Sequence, residues 1–389
     1  MRNEQRHRMG LMRLMGLIGL IGLMGLMGCS KDEAAGPKTE KGTEVQLTSY
    51  VAGYEEISRG NRANETNGLR RAWTPPTGFS AFDTGDQSIS VFFTKNDAGS
   101  YGEEFFYKNN GHWKVSLDED IVAGTYYFYG YMPYDKSINT TVSLLQGSSS
   151  FADGAVVSLT NVPAVSTADF CVMIGAKNGT SANEDYSTTG LKRGDFQYVA
   201  TGGSNNYVYL LFDHLFSALR LQMRVQGDYN ALRTIKLKEL KLKTFEGEGG
   251  STLSKKKTNI TIKLTANSEG NDPITNITFT PSGEDTDAGS IFTSEAGLEL
   301  TADYQEFTSH FMPQGVTKLN LISTYDVYDK QGNLVRQNCT ATNVLDISMF
   351  SGQTQALRGC RYTISLTINP TYLYMLSEPD LNNPTVEVN

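Results

Sequence analysis

The sequence predicts an all-β protein built as two tandem β-sandwich domains, and three observations carry that prediction. Short runs of alternating apolar and polar residues recur along the chain with turn residues between them, as in sandwiches and barrels. The apolar content leans to residues that suit pleated, half-buried surfaces, with 20 Tyr and 18 Phe beside only 2 Trp. No stretch holds a helical period over three turns. At 389 residues the chain exceeds one ordinary core, so two domains are the natural count.

The first segment is an export signal rather than part of the fold. Arg2, Arg6, Arg8 and Arg13 precede an uncharged run from Leu14 to Gly28, and Leu26-Met27-Gly28-Cys29 fits the box read by a lipoprotein signal peptidase, with Cys29 the lipidated residue. The run is shorter than the roughly 20 residues of a spanning helix. Glycines at 16, 19, 22 and 25 also weaken a helix there. Residues 1–28 are therefore expected to be a lipoprotein signal peptide and 29–43 a polar tether.

An N-terminal domain is expected over 44–212. Its first strand is 44–52, where Val45, Leu47, Ser49 and Val51 share one phase. The polar stretch 55–71, with Arg59, Arg62, Arg70 and Arg71, offers almost nothing to a core, so the first strand must find its partners beyond it. Strands follow at Ile89 to Phe93, at Trp113 to Leu117, and in the run from Gly124 to Pro133, which is apolar or aromatic on both faces and reads as a central strand. Ala155 to Leu159, Phe170 to Gly175 and Tyr207 to Phe212 complete this half.

A C-terminal domain is expected over 213–369. Leu219, Leu221, Met223 and Val225 alternate with polar residues; Ile235 and Leu237 keep one phase while Leu240 and Leu242 keep the other, a slip at Lys238-Glu239 that a β-bulge explains. Lys255 to Lys257 reads as an exposed hairpin loop beside Gly249-Gly250. Further strands are 260–264, 319–325 and 362–368, and Asp329 to Asn333 is a hairpin turn. The tail 370–389 carries a short apolar run, Tyr372 to Leu376, and an alternating end at Val386 and Val388, interrupted by Pro370, Pro379 and Pro384.

A net charge of -8 gives no basic face for nucleic acid, and four arginines in one polar stretch do not make one. With Cys29 committed to lipid, Cys171, Cys339 and Cys360 remain; Cys339 and Cys360 can pair in an oxidising compartment, or all three can be buried thiols. None has the Cys-x-x-Cys or Cys-x-x-His spacing of a metal site. His112, His214 and His310 stand far apart, outside any catalytic or ligand spacing, and are expected to be structural, with His214 satisfying hydrogen bonds where the two domains meet. No catalytic residue, metal or cofactor is expected.

Several of these pieces together resemble the fimbrillins of Bacteroidales, lipoprotein precursors of type V pilus subunits. They are the lipobox at Leu26 to Cys29, a first strand followed by arginines, Trp73-Thr-Pro-Pro76 before Ile89-Ser-Val-Phe92, the aromatic run Gly124 to Pro133, Phe212-Asp-His-Leu-Phe216, and the tail Asn369 to Leu381. Ser30-Lys31-Asp32-Glu33 likewise resembles the tag that sends lipoproteins of the Bacteroidota to the outer face of their outer membrane.

The resemblance implies transthyretin-like sandwiches and assembly by strand exchange. An Arg-specific protease would cut after Arg59, Arg62, Arg70 or Arg71, with Arg59 favoured and Arg71 next. The plug so removed is Val45, Leu47 and Val51, and the donor candidates are Tyr372, Tyr374, Leu376, Val386 and Val388. It also implies other pilus subunits as partners, the outer membrane as the lipid-held address before processing, a fimbrial location after it, and adhesion to a host or bacterial surface ligand. Two alternatives stay open: a permanently lipid-anchored surface lipoprotein that binds glycan or host protein, and an anchor or tip subunit.

Overall fold

An alternating run becomes a strand only where a neighbour satisfies its backbone N–H and C=O groups. In the computed structural model of this chain such neighbours are found for almost every regular segment. The structure describes residues 44–57, 79–81, 88–94, 102–109, 112–116, 123–179, 190–200, 206–244, 255–285, 289–350, 352–368 and 385–388.

In chain order the first strands are β1 (Glu44–Ala52), β2 (Glu55–Ile57), β3 (Phe79–Ala81), β4 (Ser88–Thr94), β5 (Gly102–Asn109), β6 (His112–Ser116), β7 (Gly124–Met132), β8 (Asn139–Leu144), β9 (Gly154–Pro163), β10 (Val165–Ser166), β11 (Cys171–Gly179), β12 (Gln197–Ala200) and β13 (Asn206–His214). After them come β14 (Ser217–Val225), β15 (Arg233–Thr244), β16 (Lys255–Thr265), β17 (Ile274–Asp285), β18 (Gly289–Leu300), β19 (Gln305–Phe311), β20 (Lys318–Asp329), β21 (Leu334–Asp346), β22 (Cys360–Ile368) and β23 (Thr385–Val388). Among the described residues one short α-helix, Gly227–Leu232, interrupts them. The all-β prediction is met.

The first sheet runs β11–β13–β1–β6–β5–β4–β7–β12, and β7 also pairs with β11 through Cys171↔Met132 and Val172↔Tyr131. The path therefore returns to its start, so the sheet closes on itself and its halves face each other across an apolar interior. Val45, Leu47, Val51, Ile89, Val91, Phe128, Met173, Val208, Leu210 and Phe212 belong to that interior. Tyr50, Tyr129, Tyr131, Val172, Tyr209 and Leu211 belong instead to a second, larger core shared with the other three sheets. This division of neighbours is the period-2 rule at work.

The other sheets are β10–β19–β14–β22–β2 with β23 added on β22, β18–β15–β20–β21, and β17–β16–β9–β8. Among the described residues, backbone pairing crosses the expected boundary at 212/213 between β9 and β16, β10 and β19, and β2 and β22, and between β11 and the last two residues of β13. The predicted bulge is present, as a register shift between Leu237 and Glu239 in both ladders of β15. The predicted turn at Asp329 to Asn333 closes with Asp329 N–H donating to the Asn333 carbonyl at 3.0 Å.

Two expectations are corrected. Lys255 to Lys257 is not a loop but the start of β16, paired with β17 and β9; an exposed Lys256 meets Glu284 at 3.1 Å, so the charge stays wet while the backbone joins the ladder. The polar stretch after the first strand does contribute to a core, through Ile57 of β2, which is 1% exposed. Of the two readings left open for Cys339 and Cys360, the structure has thiols and no disulfide between them.

Tyr129, on the outward face of β7, ties the closed sheet to its surroundings. Its ring stacks on Phe196 at 4.6 Å between centroids, and its hydroxyl donates to the Phe151 carbonyl at 2.6 Å. Burial, helped by the nearby Tyr127 and Asp153, pushes its pKa far above the ordinary tyrosine value. Tyr129→Phe leaves that carbonyl without its hydroxyl donor and should cost about 1–3 kcal/mol in urea unfolding. The sign of the pH effect follows from the raised pKa. Above a pH of about 10 the unfolded chain releases the phenolic proton while the folded chain keeps it, so stability falls as pH rises. The phenylalanine variant should show a shallower alkaline fall, and an unchanged slope would contradict this assignment.

Candidate functional site

The residue pattern of β1 places it in the interior of the closed sheet, where both of its backbone edges are used. One edge runs parallel to β13, in register from Val45↔Asn206 to Val51↔Phe212. The other is antiparallel to β6, from Glu44↔Ser116 to Leu47↔Trp113, and beyond it to β3, from Tyr50↔Ala81 to Ala52↔Phe79. Val45, Leu47 and Val51 are 2%, 5% and 6% exposed. The three residues expected to form a plug therefore lie on one buried face of a central strand.

The topology of that strand matters as much as its burial. β13 already has an antiparallel partner in β11, and β6 has one in β5. Each neighbour thus holds its own hairpin-like partner, and β1 is inserted between them from the start of the fold. Taking it away would leave the facing edges of β13 and β6 with unpaired N–H and C=O groups over an apolar slot.

Past β1, the chain is gripped at the junction of two sheets. The Ala52 carbonyl accepts a hydrogen bond from His214 Nε2 at 2.5 Å, and the Tyr54 ring stacks on the His214 ring with 3.7 Å between centroids. His214 Nδ1 lies 2.9 Å from Asp169 Oδ2, and His310 Nε2 lies 3.9 Å from the same oxygen. Burial raises the pKa of Asp169, but the charge and hydrogen bond of His214, with His310 and Tyr54, more than offset it and hold the carboxyl below its usual value. Burial pushes His310 down, and Asp169 only partly restores it.

Asp213, beside His214, anchors the same junction to the loop before β22. Arg358 Nη1 donates to Asp213 Oδ2 at 2.8 Å and to the His214 carbonyl at 2.9 Å, and its Nη2 reaches Asp272 at 3.4 Å. Burial alone would lower the pKa of Arg358; the two carboxylates raise it instead. The guanidinium therefore stays charged between its partners.

From Tyr54 the chain enters β2, whose Glu55 N–H donates to the Gly359 carbonyl at 2.9 Å. β2 runs parallel to β22, Glu55↔Cys360 to Ile57↔Tyr362, and Arg361 Nε donates to Glu56 at 2.7 Å. β14 fills one edge of β22 along 361–368, so β2 and β23 share the opposite edge. There Val388 stands across from Ile364 and Val386 from Leu366. The tail end thus pairs with its own chain. Cys29, Arg59, Arg62, Arg70, Arg71, Tyr372, Tyr374 and Leu376 lie outside the described residues.

Of the residues gathered at the junction, only His214 was singled out for hydrogen bonding where the halves meet, and it makes those bonds. Tyr54, Asp169, Asp213 and Arg358 carry no local signal. They belong to strand ends and loops that pairing alone brings together.

No protein-family model matches the chain, and no curated protein matches it. Solved structures do align along most of its length. A protein provisionally described as a cell adhesion protein from Bacteroides fragilis matches at 11% identity and a TM-score of 0.45, over 89% of this chain and 97% of that one. A second of the same provisional description, from Bacteroides uniformis, matches at 12% identity and a TM-score of 0.39, over 89% and 96%. The fimbrial anchor protein Mfa2 from Porphyromonas gingivalis matches at 11% identity and a TM-score of 0.28, over 88% and 97%.

The burial of Leu47 gives a direct measure of how firmly β1 is held. Leu47→Ala should destabilise the full chain by about 2–5 kcal/mol in chemical denaturation. A loss under about 0.5 kcal/mol, the range of ordinary surface changes, would show that β1 is not part of the packed interior.

Proposed function

We propose that this chain is a non-enzymatic fimbrial or adhesive surface subunit, exported as a lipoprotein through Cys29, trimmed after one of the arginines in 55–71 and assembled by strand exchange. The single observation that carries the reading is the position of β1. A strand at the start of the fold occupies the middle of a closed sheet, parallel to β13, and the only covalent link from it to the rest of the fold leads through β2 into the arginine-bearing stretch. One cut there would sever the strand from the chain, leaving non-covalent pairing alone to hold it.

The physical chemistry favours replacement over vacancy. A slot with two unpaired strand edges and an apolar floor is costly in water until another strand enters it. An extended segment with alternating side chains meets both needs, its backbone completing the ladders and its apolar face filling the floor. In this reading the lipid at Cys29 leaves with β1, so the signal is a delivery device and the partner is another subunit.

Treating the purified precursor with an Arg-specific protease should cut between Arg59 and Arg71 and release β1 on mild destabilisation. The trimmed protein should then polymerise or take up a synthetic peptide of residues 370–389, seen as a mass shift in native mass spectrometry. A trimmed protein that stays monomeric and refuses the peptide would rule out strand exchange. N-terminal sequencing of the protein from the cell surface separates the two roles. A start after Arg59 or Arg71 marks an assembled subunit, and a retained lipidated Cys29 marks a permanent anchor or surface binding protein.

A further inference from the structure

We infer that Asp169, Cys171 and His214 form a binding site for a borderline divalent metal such as zinc. The donor atoms of Asp169, Cys171 and His214 lie within 4.8 Å of one another. Cys171 Sγ is 3.5 Å from His214 Nδ1, and that nitrogen is 2.9 Å from Asp169 Oδ2. In a tetrahedral zinc site, Zn–S and Zn–N bonds of about 2.3 and 2.0–2.1 Å put sulfur and nitrogen about 3.5 Å apart and nitrogen and oxygen about 3.3 Å apart. The observed separations need only small side-chain shifts to meet those edges.

His310 of β19 is 6% exposed and holds its Nε2 3.9 Å from Asp169 Oδ2, while backbone hydrogen bonds at Thr167 and Ser166 engage its ring. It borders the cluster without joining it, so an ion held by the three ligands would take water at its fourth corner.

The tautomer of His214 points the same way. The Ala52 carbonyl can only accept, so Nε2 carries the proton in their 2.5 Å contact. Nδ1 is the ring nitrogen left to face the Asp169 carboxylate and the Cys171 thiol, the place a bound cation would occupy. A histidine whose far nitrogen donates to a backbone carbonyl is the usual arrangement for a metal ligand. Charge balances as well: one carboxylate and one thiolate neutralise a divalent ion in a site where Cys171 is fully buried. Binding would displace the thiol proton and any proton held between Asp169 and His214 to solvent, so affinity should fall as pH is lowered. The linear spacing of the ligands gave no hint of this, since Asp169 and Cys171 precede β11 or open it while His214 ends β13.

The test uses the full-length purified chain and the metal alone, and it does not depend on strand exchange. One equivalent of cobalt(II) should produce a thiolate-to-cobalt charge-transfer band with tetrahedral d–d bands, and zinc should displace it stoichiometrically. Cys171→Ser should abolish the charge-transfer band, whereas Cys339→Ser should retain it. Asp169→Asn, at the more exposed edge of the cluster, keeps the shape of the side chain and should weaken zinc binding at least tenfold while leaving the chelator-treated protein folded by circular dichroism. A folded wild-type chain that gives no charge-transfer band, or a band that survives Cys171→Ser, overturns the assignment.

Discussion

The constraint on which the rest of the structure depends is that β1 must pair on both edges. An edge strand can be lost at the expense of one ladder; a central strand in a closed sheet carries two, and here one of them is parallel. Parallel neighbours cannot be joined by a tight turn, so β1 and β13 come from opposite ends of the first half of the chain. Ring closure therefore depends on a long-range contact, and it also places the end of β13, with Asp213 and His214, where the chain leaves β1.

That placement explains the density of polar contacts at the junction. A carbonyl leaving a buried strand needs a donor, and His214 supplies it to Ala52; the imidazole then needs its own partner, and Asp169 supplies that. Asp213 beside it is buried and takes Arg358, which also satisfies the His214 carbonyl. The Ala52 carbonyl, His214, Asp213 and Arg358 are each satisfied within this run of contacts. The result is one connected network joining the closed sheet, the β14–β22 sheet and the segment after β1, and such a network is costly to leave half-made.

How much of this was legible depends on whether the signal was local. The first strand, the aromatic run of β7, the bulge at Lys238-Glu239 and the turn at Asp329 to Asn333 were readable because alternation and turn chemistry are properties of neighbouring residues. β2 was not, because Ile57 alone carries its burial within a polar stretch, and its partner Tyr362 is remote. β17 and β18 escaped because many of their side chains are exposed or half-buried, which blurs the two-residue period. Lys255 to Lys257 misled because a charge run says where the side chains go and nothing about the backbone. The cluster of Asp169, Cys171 and His214, with His310 at its border, lay beyond any reading by spacing, since three different strands bring these residues together.

The tail shows why exchange, in the proposed assembly, has a direction. Folded on its own chain, β23 pairs with β22 over Thr385 to Val388. The place held by β1 offers a longer parallel ladder, from Val45 to Val51, together with antiparallel pairing on the other edge and an apolar floor. A strand that leaves β22 for a vacant slot of that kind gives up one short ladder and gains two, with buried apolar contacts besides. While β1 is in place no such gain exists, because the slot is full and the tail has nothing better than its own edge. In the proposed assembly timing would be set by a covalent event near the arginines and by the grip that His214 and Tyr54 keep on the segment before them, and the tail would need no switch of its own.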